Sequence, residues 1–127
     1  NPSDPMKSAI ILSDGKKALH FYAKDIINSK LKARTVILSA CETGMGKTLA
    51  GDDFLGLSRS FYLSGTRSLL SSLWPVSDKG TLFFMEEFHK ALQKNSLGNS
   101  WLKAIEKTKN QGFPPGVYGA FILGGEL

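Results

Sequence analysis

The sequence predicts an α/β protein with a mostly parallel central sheet flanked by helices, because short apolar strand patterns alternate with amphipathic helical patterns. Residues 35–40, "TVILSA", form a continuous β-branched run of the kind that is buried on both faces of a parallel sheet. Residues 68–73, "SLLSSL", are predicted to form a further buried strand, which stops at Trp74 and Pro75. Ligands of such sheets bind beyond the carboxyl ends of the strands. The segments that follow these two runs are therefore candidates for a functional site.

Two short strands and a weak helix are predicted before the first long run. The turn residues Ser13, Asp14 and Gly15 close the first strand, and the chain then returns as the second. The predicted strands are residues 9–12 and 18–21, and the weak helix covers residues 22–31.

A helix is predicted after the glycine-containing loop that follows residue 40. Asp52 and Asp53 can cap its N-terminus, and Gly65 ends it. The i, i+3, i+4, i+7 spacing that defines its packed face is occupied by Phe54, Leu57, Ser58 and Phe61.

Ser77 caps the clearest helical pattern of the chain. Its packed face consists of Thr81, Phe84, Met85, Phe88, Ala91 and Leu92. The face of the next helix consists of Leu97, Trp101, Ala104, Ile105 and Thr108. The Gly-Pro-rich segment 112–116 breaks that helix, and residues 117–123, "VYGAFIL", supply the last predicted strand.

Length and charge limit the range of functions. With 127 residues, 42% of them hydrophobic, the chain can bury a core of its own, so a single domain spanning residues 1–127 is expected. Most of the net charge of +5 lies in the first 47 residues, where eight dispersed lysines and arginines face four acidic residues. Dispersed charge without a recognisable motif indicates a solvated basic face, and we predict no nucleic-acid partner.

The cellular compartment is predicted from the cysteine count. One cysteine cannot form an internal disulfide, so a reducing, cytoplasmic environment fits best. No stretch approaches the ~18 apolar residues of a membrane span. The opening residues, "NPSDPMKS", resemble neither a signal peptide nor a start context, and we expect the chain to be an internal piece of something longer.

The segment "LSACETGMGKT", residues 38–48, admits two chemistries. Gly46, Lys47 and Thr48 match the end of the phosphate-binding pattern G-x-x-x-x-G-K-[ST], but Cys41 stands where that pattern requires its first glycine. No downstream strand ends in a convincing Mg²⁺-binding carboxylate. Nucleotide binding is therefore the weaker interpretation, and we predict no cofactor and no metal site.

The alternative for this segment is nucleophilic catalysis by Cys41. A thiol at the end of a buried strand is held at the ligand-binding edge, and Gly44 and Gly46 let a peptide approach the backbone closely. On these residues alone, a buried structural cysteine is the favoured interpretation, and catalysis is the alternative. Residue chemistry by itself leaves the two open.

Three motifs, S-A-C-E-T-G, G-L-S-R-S-F and S-L-W-P-V-S-D, occur in this order, followed by two helices and "VYGAFILGG". Over residues 8–125 the chain resembles the CHAT domain, a caspase-like cysteine peptidase unit that is often attached to TPR repeats and is related to separase. The resemblance implies a caspase-like three-layer sandwich, a protein or peptide substrate, and TPR or other domains in the same longer chain.

The resemblance also implies a Cys-His dyad with Cys41 as the nucleophile and its own N–H as one oxyanion donor. In CHAT proteins the histidine ends the preceding strand, in a motif like H-x-A-T-H-G, which would lie upstream of Asn1. His20 and His89 are interpreted as surface or packing residues. The isolated chain is therefore expected to lack the complete dyad and to be inactive.

Substrate recognition is assigned by the same resemblance. In separase-like relatives an acidic residue after the next strand contacts a basic P1 side chain, and Asp78 in "LWPVSD" is the candidate here. An acid in the first turn of a helix also offsets the helix dipole without any substrate. Trp74 is a candidate pocket wall or a core residue, and Gly44 is a candidate for close contact with the substrate backbone. A non-catalytic interaction module of the same fold is the alternative function.

Overall fold

A computed structural model of the chain describes residues 4–39 and 51–127. After a short 3-10 helix (Pro5–Lys7), five α-helices and five strands are present in this part: β1 (Ala9–Ser13), β2 (Ala18–Tyr22), α1 (Ala23–Asn28), β3 (Thr35–Leu38), α2 (Gly51–Leu63), β4 (Ser68–Ser72), α3 (Asp78–Leu92), α4 (Leu97–Asn110), α5 (Pro115–Tyr118) and β5 (Phe121–Gly125). The predicted α/β class is therefore confirmed. The described residues fall into two compact units, one with residues 4–36 and 51–67 and one with residues 37–39 and 68–127.

The first unit begins with a β-hairpin. β1 pairs antiparallel with β2 in a register that places Ile11 opposite His20. The Asp14 carboxylate closes the turn by accepting the backbone N–H groups of Lys16 and Lys17, both at 2.9 Å. These two hydrogen bonds hold the pKa of Asp14 below its ordinary value. The predicted turn at residues 13–15 is thus confirmed.

The core of the first unit is small and helical. Ala23 and Ile26 of α1 are fully buried, and α1 contacts α2, whose Leu57 and Phe61 are also buried. Gly65 follows the end of α2 with a φ of +109°, a left-handed conformation that glycine adopts without steric cost. The predicted role of Gly65 as the stop of this helix is confirmed, whereas the side chains of the predicted caps Asp52 and Asp53 lie outside the described part.

The second unit packs α3 and α4 against β4 and β5, which belong to the sheet with the strand order β3-β4-β5. α3 and α4 contact each other, and the buried cluster combines both helices with the strands. Its fully buried members are Leu70, Phe84, Phe88, Ala104, Ala120 and Phe121. The predicted helical faces around Phe84 and Ala104 therefore do form the core.

The expected mostly parallel sheet is not confirmed by the two strand pairs whose direction is described. β1–β2 and β4–β5 are both antiparallel, with Ser68 opposite Gly125 and Ser72 opposite Phe121 in the second pair. β4 is buried along its whole length, as predicted, but it lies between two other strands of the sheet. Burial on both faces therefore reflects a central position, and by itself it does not indicate strand direction.

Two strand predictions were wrong in detail. The run 35–40 was expected to be buried on both faces, but β3 is half-buried and Ile37 is 36% exposed. Residues 117–123 were predicted as one strand, but Val117 and Tyr118 belong to α5, and β5 starts only at Phe121. A short apolar run cannot distinguish a strand from a buried helical turn, and Pro115 favours the first turn of a helix.

Candidate active site

Two of the four candidate site residues are described by the structure. Trp74 and Asp78 lie in the segment between β4 and α3 and at the start of α3. Cys41 and Gly44 lie outside the described residues, so their proposed roles stay predictions. The same holds for Lys47, on which the nucleotide-binding alternative depends.

Trp74 is anchored through its ring nitrogen. Its Nε1–H donates a hydrogen bond of 2.7 Å to the backbone carbonyl of Gly116 in α5, although the two residues are far apart in sequence. The side chain is 42% exposed, so Trp74 is not a core residue. A large apolar ring is thus held in a defined place with part of its surface open to solvent.

Asp78 is the first residue of α3, and a different side chain caps that helix. The Ser77 hydroxyl accepts a hydrogen bond of 3.1 Å from the N–H of Gly80, which confirms the predicted cap. Asp78 is exposed, and no ion pair to its carboxylate is found within residues 4–39 and 51–127. A carboxylate at this position interacts favourably with the helix dipole and is also available to a cationic ligand.

The two histidines make local contacts in different elements. The His20 ring stacks on Tyr22 of the same hairpin strand, with ring centroids 5.8 Å apart. His89 Nδ1–H donates to the carbonyl of Met85 one turn earlier in α3, at 2.7 Å. Both residues are exposed. These contacts agree with the prediction that they are surface or packing residues.

Other possible sites in the described part are sparse. No group of three or more His, Cys, Asp or Glu side chains within the described residues could hold a metal ion. A shallow groove of about 230 Å³ on the outer face of α3 is lined by Lys79, Leu82, Phe83, Glu86, Gln111 and Phe113. Neither Trp74 nor Asp78 lines it. No helix in the described part is long and apolar enough to cross a membrane.

Sequence reasoning missed the residues that support the Trp74 segment. Gly116 accepts the indole hydrogen bond, and Val117 packs so closely on Gly80 that a Cβ at Gly80 would lie 2.8 Å from Val117 Cγ1. The segment 112–116 was interpreted only as a helix breaker. Its two prolines and following glycine did carry a signal, since Pro at the first helical position often opens a short new helix.

Comparisons with known proteins found one matching family model and a distant relative. The family model described as CHAT domain matches residues 1–113. A human protein, tetratricopeptide repeat protein 28, is 26% identical over 110 residues, which cover 83% of this chain. The chain spans only 4% of the length of that relative.

Proposed function

Because the chain belongs to the CHAT domain family, we propose that it is part of a cysteine endopeptidase domain in which Cys41 is the nucleophile of a Cys-His dyad. The observation that supports this assignment is the position of Cys41 in the chain. β3 ends at Leu38, three residues before Cys41, so the thiol follows directly on a strand end. The proposed architecture of the complete domain is a caspase-like three-layer sandwich, and the α/β composition of the described residues supports it.

The proposed chemistry is acyl transfer to the thiol followed by hydrolysis. The Cys41 thiolate attacks the carbonyl carbon of the scissile peptide bond, and backbone N–H groups, including that of Cys41, stabilise the oxyanion. The histidine gives its proton to the departing amine, and the C–N bond breaks. Water, deprotonated by the same histidine, then hydrolyses the thioester and releases the acid product.

The histidine of the dyad is proposed to come from the segment that precedes Asn1 in a longer protein. Two local contacts support this choice: the His20 ring stacks on Tyr22, and His89 Nδ1–H donates to the Met85 carbonyl within its own helix. On this proposal, the 127-residue chain alone does not cleave peptides.

Substrate recognition is proposed to involve Asp78, Trp74 and Gly44. The exposed Asp78 carboxylate at the start of α3 is suited to a Lys or Arg side chain at P1, because a charge-assisted hydrogen bond to a carboxylate is worth roughly 1.5–3 kcal/mol. The open part of the Trp74 ring offers an apolar wall for the aliphatic stem of the same side chain. Gly44 is proposed to let the substrate backbone approach.

The longer protein is proposed to combine this domain with TPR repeats and to work in the cytoplasm. The human relative is named as a tetratricopeptide repeat protein, which supports the proposal of TPR repeats in the longer protein. A single cysteine, which cannot form an internal disulfide, supports a reducing compartment.

The decisive experiment compares this chain with a polypeptide of the same protein that extends upstream through the proposed histidine. We expect the longer polypeptide to cleave fluorogenic Arg or Lys peptides, and Cys41→Ala to abolish the cleavage. In the short chain, iodoacetamide should label Cys41 with the pH dependence of a free thiol, whose pKa is about 8.5. Rapid labelling at pH 6 in the short chain would show that a residue within it, such as His20, activates the thiol.

A non-catalytic interaction module is the alternative that the same experiment identifies. If the upstream segment lacks a histidine and the longer polypeptide cleaves nothing, the peptidase proposal is wrong. The CHAT fold would then serve protein binding, and the Cys41→Ala variant would behave like the wild type in binding assays.

A further inference from the structure

Three contacts join the segment after β4 to α5 and to the residues that follow α5 in the sequence. The backbone N–H of Leu73 donates to the Ala120 carbonyl at 2.8 Å. The indole N–H of Trp74 donates to the Gly116 carbonyl at 2.7 Å. The third contact is the packing of Val117 against Gly80, described above. Ala120 therefore contacts this segment before the turn that leads into α3, and α5 contacts it within and after that turn.

The packing contact depends on the absence of a side chain at Gly80. Val117 is only 7% exposed, and both of its methyl carbons would lie within 3.1 Å of a Cβ at Gly80. A β-branched side chain has few alternative rotamers, so Val117 fixes the distance between α5 and the first turn of α3. Asp78 and the cap Ser77 belong to that same turn.

The Trp74 hydrogen bond differs from an ordinary core contact. Trp74 is 42% exposed and Gly116 is exposed too, so water can replace the indole N–H when it is lost. The bond therefore contributes more to the orientation of the segment than to the stability of the fold.

We propose that α5 holds the Trp74–Asp78 segment in a fixed position, and we call α5 in this role the brace. In this arrangement Trp74 is a positioning residue that acts through the Gly116 carbonyl. This inference rests on the proposed function, because the quantity that the brace controls is the selectivity of Asp78 for a basic P1 residue. Val117 supports the same segment from the other side, through Gly80. Neither Gly116 nor Val117 needs to touch the substrate.

The chain offers a matched control for Trp74. Trp101 also donates its Nε1–H to a backbone carbonyl, that of Phe121, at 3.0 Å. Trp74→Phe and Trp101→Phe therefore remove the same group and keep an aromatic ring. Val117→Ala loosens the brace without changing the Trp74 ring at all. All three variants are made in the longer, cleavage-competent protein.

Two measurements test the proposal. The first is the ratio of kcat/KM for an Arg peptide to that for a matched neutral peptide. We expect Trp74→Phe and Val117→Ala each to lower this ratio by about threefold or more, through KM for the Arg peptide, because misplaced contacts weaken discrimination. The second is amide hydrogen exchange at Val117, Gly119 and Ala120, which we expect to accelerate in both variants. Trp101→Phe should change neither quantity.

The outcomes separate the brace from the peptidase assignment. Unchanged exchange in Trp74→Phe would overturn the brace. A lower ratio in Trp74→Phe with a normal ratio in Val117→Ala would mean that Trp74 acts only through its own contact with the P1 side chain and not through α5, which also overturns the brace. If the unmodified longer protein cleaves no peptide, both the proposed peptidase function and the role of the brace in selectivity are wrong. Accelerated amide exchange in both variants would still show that α5 and the Trp74–Asp78 segment are structurally coupled.

Discussion

The rings of Phe84 in α3 and Phe121 in β5 stack with their centroids 4.1 Å apart and their planes 16° from parallel. Phe84 is also stacked on Phe88 one turn later, with centroids 6.5 Å apart, and all three rings are at most 1% exposed. This stack connects α3 to the sheet of the second unit. The segment that carries Asp78 therefore leads into a helix that is anchored in the core of that unit.

Phe84→Ala should be the most damaging single change in the second unit. Removal of a fully buried phenyl ring destabilises a core by about 3–5 kcal/mol, because contacts are lost and the cavity does not fully collapse. The free energy of unfolding, measured by denaturant titration with near-UV circular dichroism, checks this. Leu82→Ala on the same helix is the control. Leu82 is 61% exposed, so its loss should change stability by about 0.5 kcal/mol or less.

Gly80→Ala should destabilise the protein although alanine favours helices. The new Cβ would lie 2.8 Å from Val117 Cγ1, and such overpacking costs about 1–3 kcal/mol. Thermal unfolding measures the loss, and the double variant Gly80→Ala with Val117→Ala should recover most of it. Gly116→Ala is the control, because nothing lies within 4 Å of its added Cβ. Equal destabilisation at Gly80 and Gly116 would contradict the packing explanation.

The ion pairs of Glu87 should make a small, pH-dependent contribution to stability. Lys90 donates a hydrogen bond of 3.1 Å to its carboxylate, and Lys107 of α4 lies 3.6 Å away. The Lys90 hydrogen bond, followed by the charges of both lysines, holds the pKa of Glu87 below its ordinary value. A carboxyl group whose pKa is lowered by folding stabilises the native state above its unfolded pKa, and this stability is lost as the pH falls through the folded pKa.

Glu87→Gln therefore should cost stability at pH 7, by under about 1 kcal/mol because the lysines are largely exposed. The difference from wild type should shrink as the pH falls below ~4.3, the ordinary value for glutamate. Unfolding curves at pH 7 and at pH 3 measure it. Glu86→Gln, at an exposed neighbouring position without an ion pair in the described part, serves as the control. A pH-independent difference would show that the ion pairs are not its cause.

Local patterns predicted the helices of the second unit well. Ser77 was predicted as a cap from its own chemistry and the helical spacing after it, and both features depend on residues within one turn. Phe84 and Phe88 were placed in the core by the same spacing, and both are fully buried. Helix caps and buried helical faces are determined by residues that are close together in the chain, so a single sequence is enough to predict them.

Nonlocal contacts were beyond the reach of the patterns. The Trp74–Gly116 hydrogen bond joins residues 42 positions apart, and nothing in either neighbourhood specifies the other partner. The antiparallel pairing of β4 with β5 is also nonlocal, because a buried strand has the same composition in either direction. The assignments of Cys41 and Gly44 came from motif resemblance, and they stay predictions.

Lys47→Ala tests the alternative in which the segment after β3 binds phosphate. On the peptidase proposal Lys47 has no role in the chemistry. Lys47→Ala in the longer protein should therefore cleave Arg peptides at the wild-type rate. Isothermal titration with ATP should detect no binding to either protein. Micromolar ATP affinity that disappears in Lys47→Ala would instead support a phosphate-binding loop, in which the lysine contacts the β- and γ-phosphates.

Asp78→Ala tests the proposed P1 preference, and Ser77→Ala is its matched control. The hydroxyl of Ser77 already caps α3, so Asp78→Ala should remove only a helix-dipole interaction worth about 0.3–1 kcal/mol. Ser77→Ala removes the cap itself and should cost about 1 kcal/mol.

In the longer protein, Asp78→Ala should lower kcat/KM for Arg and Lys peptides at least about tenfold relative to neutral peptides, because a charge-assisted hydrogen bond is lost. Ser77→Ala should keep the preference while lowering the melting temperature more. If Asp78→Ala instead weakens cleavage of all peptides equally and lowers the melting temperature as much as Ser77→Ala does, then Asp78 serves the helix, and the basic P1 preference must be assigned to other residues.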